Sequence, residues 1–118
     1  MIDAVGLPDL IVKRASATPG AVMLVDQDER SMTFAEYADA VDTAAAGFAE
    51  RGVSEGTVVS WQLPTWIESF VLVGALSRLG AVQNPILPIY RTREVTFVCQ
   101  QANTKLLIVP SEWRGFDF

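Results

Sequence analysis

The side chains able to do chemistry are few in this sequence, and they are scattered. There is no histidine, which removes the commonest general base, the imidazole of a nucleophile triad and most zinc chemistry. The one thiol, Cys99, stands on the apolar face of a predicted helix with no imidazole to lower its pKa. It reads as a small core residue rather than a nucleophile. Asp26, Asp28 and Glu29 are close enough to suggest a cation loop. A calcium loop begun at Asp26 would need an oxygen ligand, a glycine and a glutamate where Arg30, Ser31 and Tyr37 stand. A solvated hairpin tip fits better.

A nucleotide site in an α/β sheet needs a glycine-rich turn from strand to helix. The turn after Leu63 is Pro64-Thr65, without glycine, and neither GxGxxG nor GxxxxGK[ST] occurs. Backbone phosphate binding at the helix start near Thr65 is the weaker alternative to ordinary capping there. Arg91 and Arg93 flank another helix start, where cations oppose the macrodipole. That conflict leaves an anion or contact role open beside simple solubilisation. Of the three tryptophans, Trp66 is expected in the core. Trp61 and Trp113 are candidate surface anchors for something outside the chain.

These residues must be placed by elements that the spacing predicts. Pro8 to Ala17 has helical spacing, and Thr18-Pro19-Gly20 ends it. Ala21–Asp26 reads as a strand, residues 27–30 as a hairpin tip, and Ser31-Met32 as the return limb. Thr33 to Arg51 is a helix opened by a Thr33/Glu36 capping box and stopped by Gly52 in a left-handed C′ position. Val58–Leu63 is a strand. A second capping box, Thr65 with Glu68, opens a helix to Leu79 with Gly80 as its stop. That helix is apolar nearly all round, which marks it as buried. Its interior Gly74 costs about 1 kcal/mol against alanine, so close packing there is expected. Ala81–Leu87 is a short strand that Pro85 and Pro88 confine to an edge or an irregular end. Thr92 caps a third helix whose inner face is Val95, Val98, Cys99 and Ala102. Leu106 to Val109 reads as a parallel strand covered on both faces. The alternation argues for α/β with a mainly parallel sheet, flanking helices and an N-terminal helix and β-hairpin.

Composition narrows the classes. The apolar set is 50% of 118 residues and charged residues are 19%, which excludes disorder. The longest charge-free runs are the twelve-residue stretches Gly56–Ile67 and Leu79–Tyr90, too short for a membrane helix. A net charge of −5 argues against a nucleic-acid footprint. One cysteine and no signal-like opening segment place the chain in a reducing cytoplasm. Residues 1–55 carry fourteen charged side chains and residues 56–110 only six. The second half is therefore expected to be buried on more than one face. It also carries more apolar surface than one small domain covers, so self-association is expected.

The order of these pieces resembles the beginning of an acyl-CoA synthetase of the AMP-binding, adenylate-forming ligase family. Thr33-Phe34-Ala35-Glu36 resembles the family's T-[FY]-x-E helix start. Gly52-Val53-x-x-Gly56-x-x-Val59 resembles its GVxxGDxV linker, with Thr57 where Asp is usual. Leu63-Pro64-Thr65 through Leu79-Gly80-Ala81-Val82, then Asn84-Pro85 and Pro88, resembles its most recognisable early segment, with Thr65 where Asn is usual. The similarity spans residues 8–115. Gln62, the run from Asn84 to Arg91 and the run from Trp113 to Asp117 look nearest to ligases for medium, cyclic or steroid-derived acids.

The resemblance implies one α/β subdomain over residues 1–118, part of the N-terminal domain of a larger ligase. It implies a two-step reaction, acyl-adenylate and then thioester, in fatty acid metabolism, with ATP, Mg²⁺ and CoA used by the full-length enzyme. The family's phosphate loop, aromatic-Gly-x-Thr-Glu segment, ribose-binding Asp and catalytic Lys match no position here. No catalytic, cofactor-binding or metal-binding residue is therefore assigned, and the isolated chain is expected to be inactive and to need the remainder of the ligase. The rival readings are a non-catalytic assembly module of the same family and an unrelated small nucleotide binder.

Overall fold

A computed structural model describes residues 2–118. Helix α1 (Leu7–Ala17) has Pro8 in its first turn, where proline's fixed φ is already helical and its missing N–H is not needed. Strands β1 (Val22–Val25) and β2 (Ser31–Thr33) pair as an antiparallel hairpin. Helix α2 (Phe34–Glu50) opens on the expected capping box. Thr33 Oγ1 accepts the Glu36 amide at 3.1 Å, and the Glu36 carboxylate accepts the Thr33 amide at 3.2 Å. Gly52, at φ 87°, takes the left-handed position that ends it.

The second half holds β3 (Val58–Trp61), α3 (Ile67–Leu79), β4 (Val82–Pro85), α4 (Thr92–Ala102) and β5 (Leu106–Ile108). The three strands are parallel in the order β4-β3-β5, so β4 is an edge, which suits its one proline, Pro85. The chain closes with a hairpin of β6 (Glu112–Trp113) and β7 (Phe116–Asp117) that the apolar pattern did not predict. Arg114 and Gly115 both have positive φ, 49° and 76°, the two-residue turn that matches strand twist.

The sheet has two unlike faces. On one, Val59 is fully buried with Leu72 and Leu76 of α3 and with Val53, while Trp61, Leu63, Leu106 and Ile108 pack around them. Alternation puts Ser60, Gln62, Asn84 and Leu107 on the other. There Ser60 Oγ meets Thr104 Oγ1 at 2.6 Å and receives Asn84 Nδ2 at 2.9 Å. A second cluster joins Ile11 of α1 to Tyr37 and Val41 of α2. Gly74 lies where α3 crosses α2. A Cβ there would stand 2.7 Å from both Tyr37 Oη and Val41 Cγ2, which is the close packing expected of it. Tyr37 Oη donates to the Phe70 carbonyl at 2.8 Å across the same crossing, and burial pushes its phenol pKa up.

Three expectations are corrected. The Thr65/Glu68 capping box does not form: α3 begins at Ile67 with Trp66 as the capping residue and no side-chain cap. Glu68 is drawn to Arg30 instead, and Ser69 Oγ donates to the Pro64 carbonyl at 2.6 Å. Thr92 is the first residue inside α4 rather than its cap, and the Glu94 carboxylate accepts the Arg91 amide at 3.2 Å. Strand β5 is parallel as predicted but not covered on both faces, for Leu107 is 41% and Val109 38% exposed. The inner face of α4 does carry Val95, Val98, Cys99 and Ala102, all half-buried, yet no residue of this helix is fully buried.

Candidate functional site

Strands β3 and β4 end side by side, and the chain leaves them towards opposite faces. From β3 it passes through Gln62–Trp66 into α3, which lies on the Val59 face. From β4 it turns through residues 86–91, which lie under Gln62 on the other face. Where neighbouring parallel strands part in this way, a crevice opens at their carboxyl ends, the usual ligand position in open α/β sheets. A groove of about 1260 Å³ lies there. Trp61, Trp66 and Trp113 all line it, with Leu63, Pro64, Pro85 and Pro88.

Three tryptophans from separate elements thus meet in one place. Trp66, expected in the core, is a half-buried wall of the groove. Trp61 packs its ring against the core cluster, and its Nε1 is buried without a hydrogen-bond partner. Trp113 reaches the groove from the terminal hairpin, with Arg114 lying over its ring at 4.5 Å from the centroid.

The hairpin tip of β1–β2 forms the charged rim. Asp26 Oδ1 accepts the amides of Asp28 and Arg30, both at 2.9 Å, which folds the tip. Arg30 then bridges Asp26 at 2.5 Å and Glu68 at 2.8 Å, tying the tip to α3. Desolvation works against the Asp26 charge, but the hydrogen bonds from Arg30 and Asp28 prevail and hold its carboxyl below the usual range. The hydrogen bond from Arg30 does the same for Glu68, and the two carboxylates raise Arg30 further. The acidic run is therefore a brace for the tip.

The remaining candidates are dispersed. Cys99 is half-buried on α4. Arg91 Nη1 donates to the Pro88 carbonyl at 2.8 Å, and its guanidinium stacks 3.7 Å from the Phe116 ring centroid, so it serves contacts within the chain. Arg93 and Thr65 are exposed. Among the described residues no group of three or more His, Cys, Asp or Glu is placed to hold a metal, and no glycine turn follows β3. The residues present do not fit an ATP–Mg²⁺ site. Gln62, noted in the sequence only as part of the family resemblance and given no role, is 2% exposed and donates through Nε2 to Leu87 and Tyr90 carbonyls at 2.9 and 2.8 Å. An amide at a buried position of an otherwise apolar strand was the available signal.

An open parallel α/β layer with a ligand-sized groove at its strand ends is the class that fold and site define. The sequence matches the AMP-binding enzyme family model over residues 11–116, and the chain belongs to that family. It is 34% identical over 110 residues to a 2,3-dihydroxybenzoate-AMP ligase of Bacillus subtilis (strain 168), covering 93% of this chain and 20% of that protein. It is 30% identical over 105 residues to a medium-chain fatty-acid–CoA ligase of Escherichia coli (strain K12), covering 89% and 19%. The chain thus spans about one fifth of the length of the curated relatives it matches. The N-terminal subdomain of Klebsiella oxytoca NpsA superposes with a TM-score of 0.84 at 24% identity, covering 97% of this chain and 29% of that one. The N-terminal domain of FACL13 from Mycobacterium tuberculosis does so at 0.84 and 24% identity, covering 87% and 26%. The fold is that of the N-terminal subdomain of adenylate-forming enzymes.

Proposed function

We propose that this sequence is the N-terminal part of an acyl-CoA synthetase, and that it supplies a wall of the substrate site rather than the reacting groups. The observation that carries the reading is the groove at the diverging ends of β3 and β4, walled by three tryptophans and by Pro64, Pro85 and Pro88, with Glu68 at its rim paired to Arg30. In such an enzyme a carboxylate attacks the α-phosphorus of ATP and expels pyrophosphate. The thiol of CoA then attacks the acyl carbon of the acyl-adenylate and expels AMP. The apolar groove walls exclude water and hold the unreactive body of a substrate, which turns binding energy into orientation. ATP, Mg²⁺ and the residues that handle them belong to the remainder of the ligase, and the reaction takes place in the cytoplasm.

The experiment is to incubate the full-length ligase with ATP, Mg²⁺, CoA and a panel of carboxylic acids and follow acyl-CoA by mass spectrometry. Acyl-CoA forms with the full-length enzyme and none forms with residues 1–118 alone. Product from the short chain would overturn its inactivity. A second reading has its own support, since the B. subtilis relative is a 2,3-dihydroxybenzoate-AMP ligase. In that reading the adenylate is made but passes to an acceptor other than CoA, and pyrophosphate appears without acyl-CoA.

The isolated chain also self-associates through the open face of its sheet, where Leu107 and Val109 are exposed. Light scattering at high concentration gives a mass above 12.9 kDa, and a monomer would contradict this.

A further inference from the structure

The loop of residues 86–90, whose first part (residues 86–88) lines the groove, is held in an unusual way. Ile86 is buried, but Leu87 is 56% and Ile89 66% exposed, so most of the loop's apolar surface faces outward and does not anchor it. Pro85 and Pro88 have no N–H to donate. Among the described residues its backbone amides make one hydrogen bond to the sheet, Ile86 N to the Trp61 carbonyl at 2.8 Å, and one within the loop, Tyr90 N to the Leu87 carbonyl at 3.1 Å. Its carbonyls point instead at side chains. Gln62 Nε2 donates to Leu87 and Tyr90 from beneath, and Arg91 Nη1 donates to Pro88 and, at 3.1 Å, to Tyr90. Gln62 itself is fixed, since its backbone N–H donates to the Ile108 carbonyl at 2.9 Å and so locks it to β5. One buried amide thus joins the centre of the sheet to both ends of a loop whose other side faces open space.

We propose that Gln62 is a positioning residue: it clamps residues 87–90 so that this loop presents a fixed apolar surface to a substrate in the groove. The inference rests on the reading of the groove as a substrate wall. A carbonyl loop held by two hydrogen bonds from one rigid donor keeps one conformation before ligand arrives, and ordering it then costs little on binding. Removing the donor leaves two carbonyls without that partner and frees the loop.

The test is Gln62→Met in the full-length ligase, which keeps the volume and deletes both donors. Hydrogen exchange is read at the amide of Tyr90, which donates within the clamped loop, beside steady-state kinetics with acid, ATP and CoA varied in turn. Protection of that amide falls at least tenfold, while amides of α2 and α3 stay within twofold. The KM of one substrate rises at least tenfold with kcat within threefold. Unchanged loop protection overturns the clamp, and so does an equal loss of protection across α2 and α3. A freed loop with every KM unchanged overturns instead the groove as a substrate wall. Should Gln62→Met not fold, Gln62→Asn keeps the amide, shortens its reach by one methylene and is read in the same way.

Discussion

The two faces of the β4-β3-β5 sheet are built from the same three strands and end in opposite states. The Val59 face is sealed by α3, and Val59, Leu72 and Leu76 are all within the buried core. The Ser60 face is polar at its centre and open at its flanks, with Val82, Leu107 and Val109 exposed. One face is a finished interior. The other is bound to the chain by polar contacts that fix loops in place, those of Ser60, Asn84 and Gln62. A strand sequence rich in leucine and valine therefore does not say which of its faces is covered.

The largest contrast expected between the faces is in stability. Leu76→Ala opens a cavity in the sealed face and costs about 2–5 kcal/mol. Leu107→Ala removes an already solvated side chain and costs less than about 0.5 kcal/mol. Urea unfolding of both variants reads the difference, and comparable losses would show that the second face is covered after all. Next comes the α2–α3 crossing. Gly74→Ala drives a Cβ into Tyr37 and Val41 and costs about 1–3 kcal/mol by overpacking, less the roughly 1 kcal/mol alanine gains in helix propensity. A variant more stable than the parent would contradict the contact distances.

Smaller effects separate the two threonines that the sequence treats alike. Thr33→Ala loses a working cap and about 1 kcal/mol, whereas Thr65→Ala, at a helix start with no side-chain cap, stays within about 0.5 kcal/mol. Equal losses on thermal unfolding would restore the second capping box.

The smallest expected effect is electrostatic. The folded pKa values of Asp26 and Glu68 lie below their ordinary ones, so the stabilisation they give is fully present above the unfolded carboxylate range. It is lost as pH falls through the folded values, below about pH 4. In Arg30→Ala the drop in melting temperature between pH 6 and pH 3 shrinks. An undiminished drop would place the acid sensitivity elsewhere.

Much of the fold was legible because its signals are local. The Thr33/Glu36 box, the left-handed stops at Gly52 and Gly80, and the edge position that Pro85 requires of β4 all follow from a few neighbouring residues. Trp66 was misplaced and Thr65 over-read for the opposite reason. Trp66 lines a groove that the strand ends open, and the Thr65 box is undone by Arg30, thirty-eight residues from Glu68, which takes the carboxylate that a capping box needs. The candidate site was the least legible part. Trp113 is far in sequence from Trp61 and Trp66, and the three come together only where two parallel strands end. Gln62 stood out in the sequence only through the resemblance, and its role was not legible, since that depends on carbonyls 25 and 28 residues away.

By itself the sequence determined the types and order of the elements from α1 to β5 and the parallel α/β class, though not the β6–β7 hairpin, because turn chemistry, capping and hydrophobic period act over a few residues. It also carried the family, in short motifs kept in order. Only the tertiary structure decided which sheet face is sealed, which carboxylate pairs with which cation, and that three dispersed tryptophans share one groove. Those outcomes depend on long-range pairing, and long-range pairing is set by where the strands end and the chain turns away.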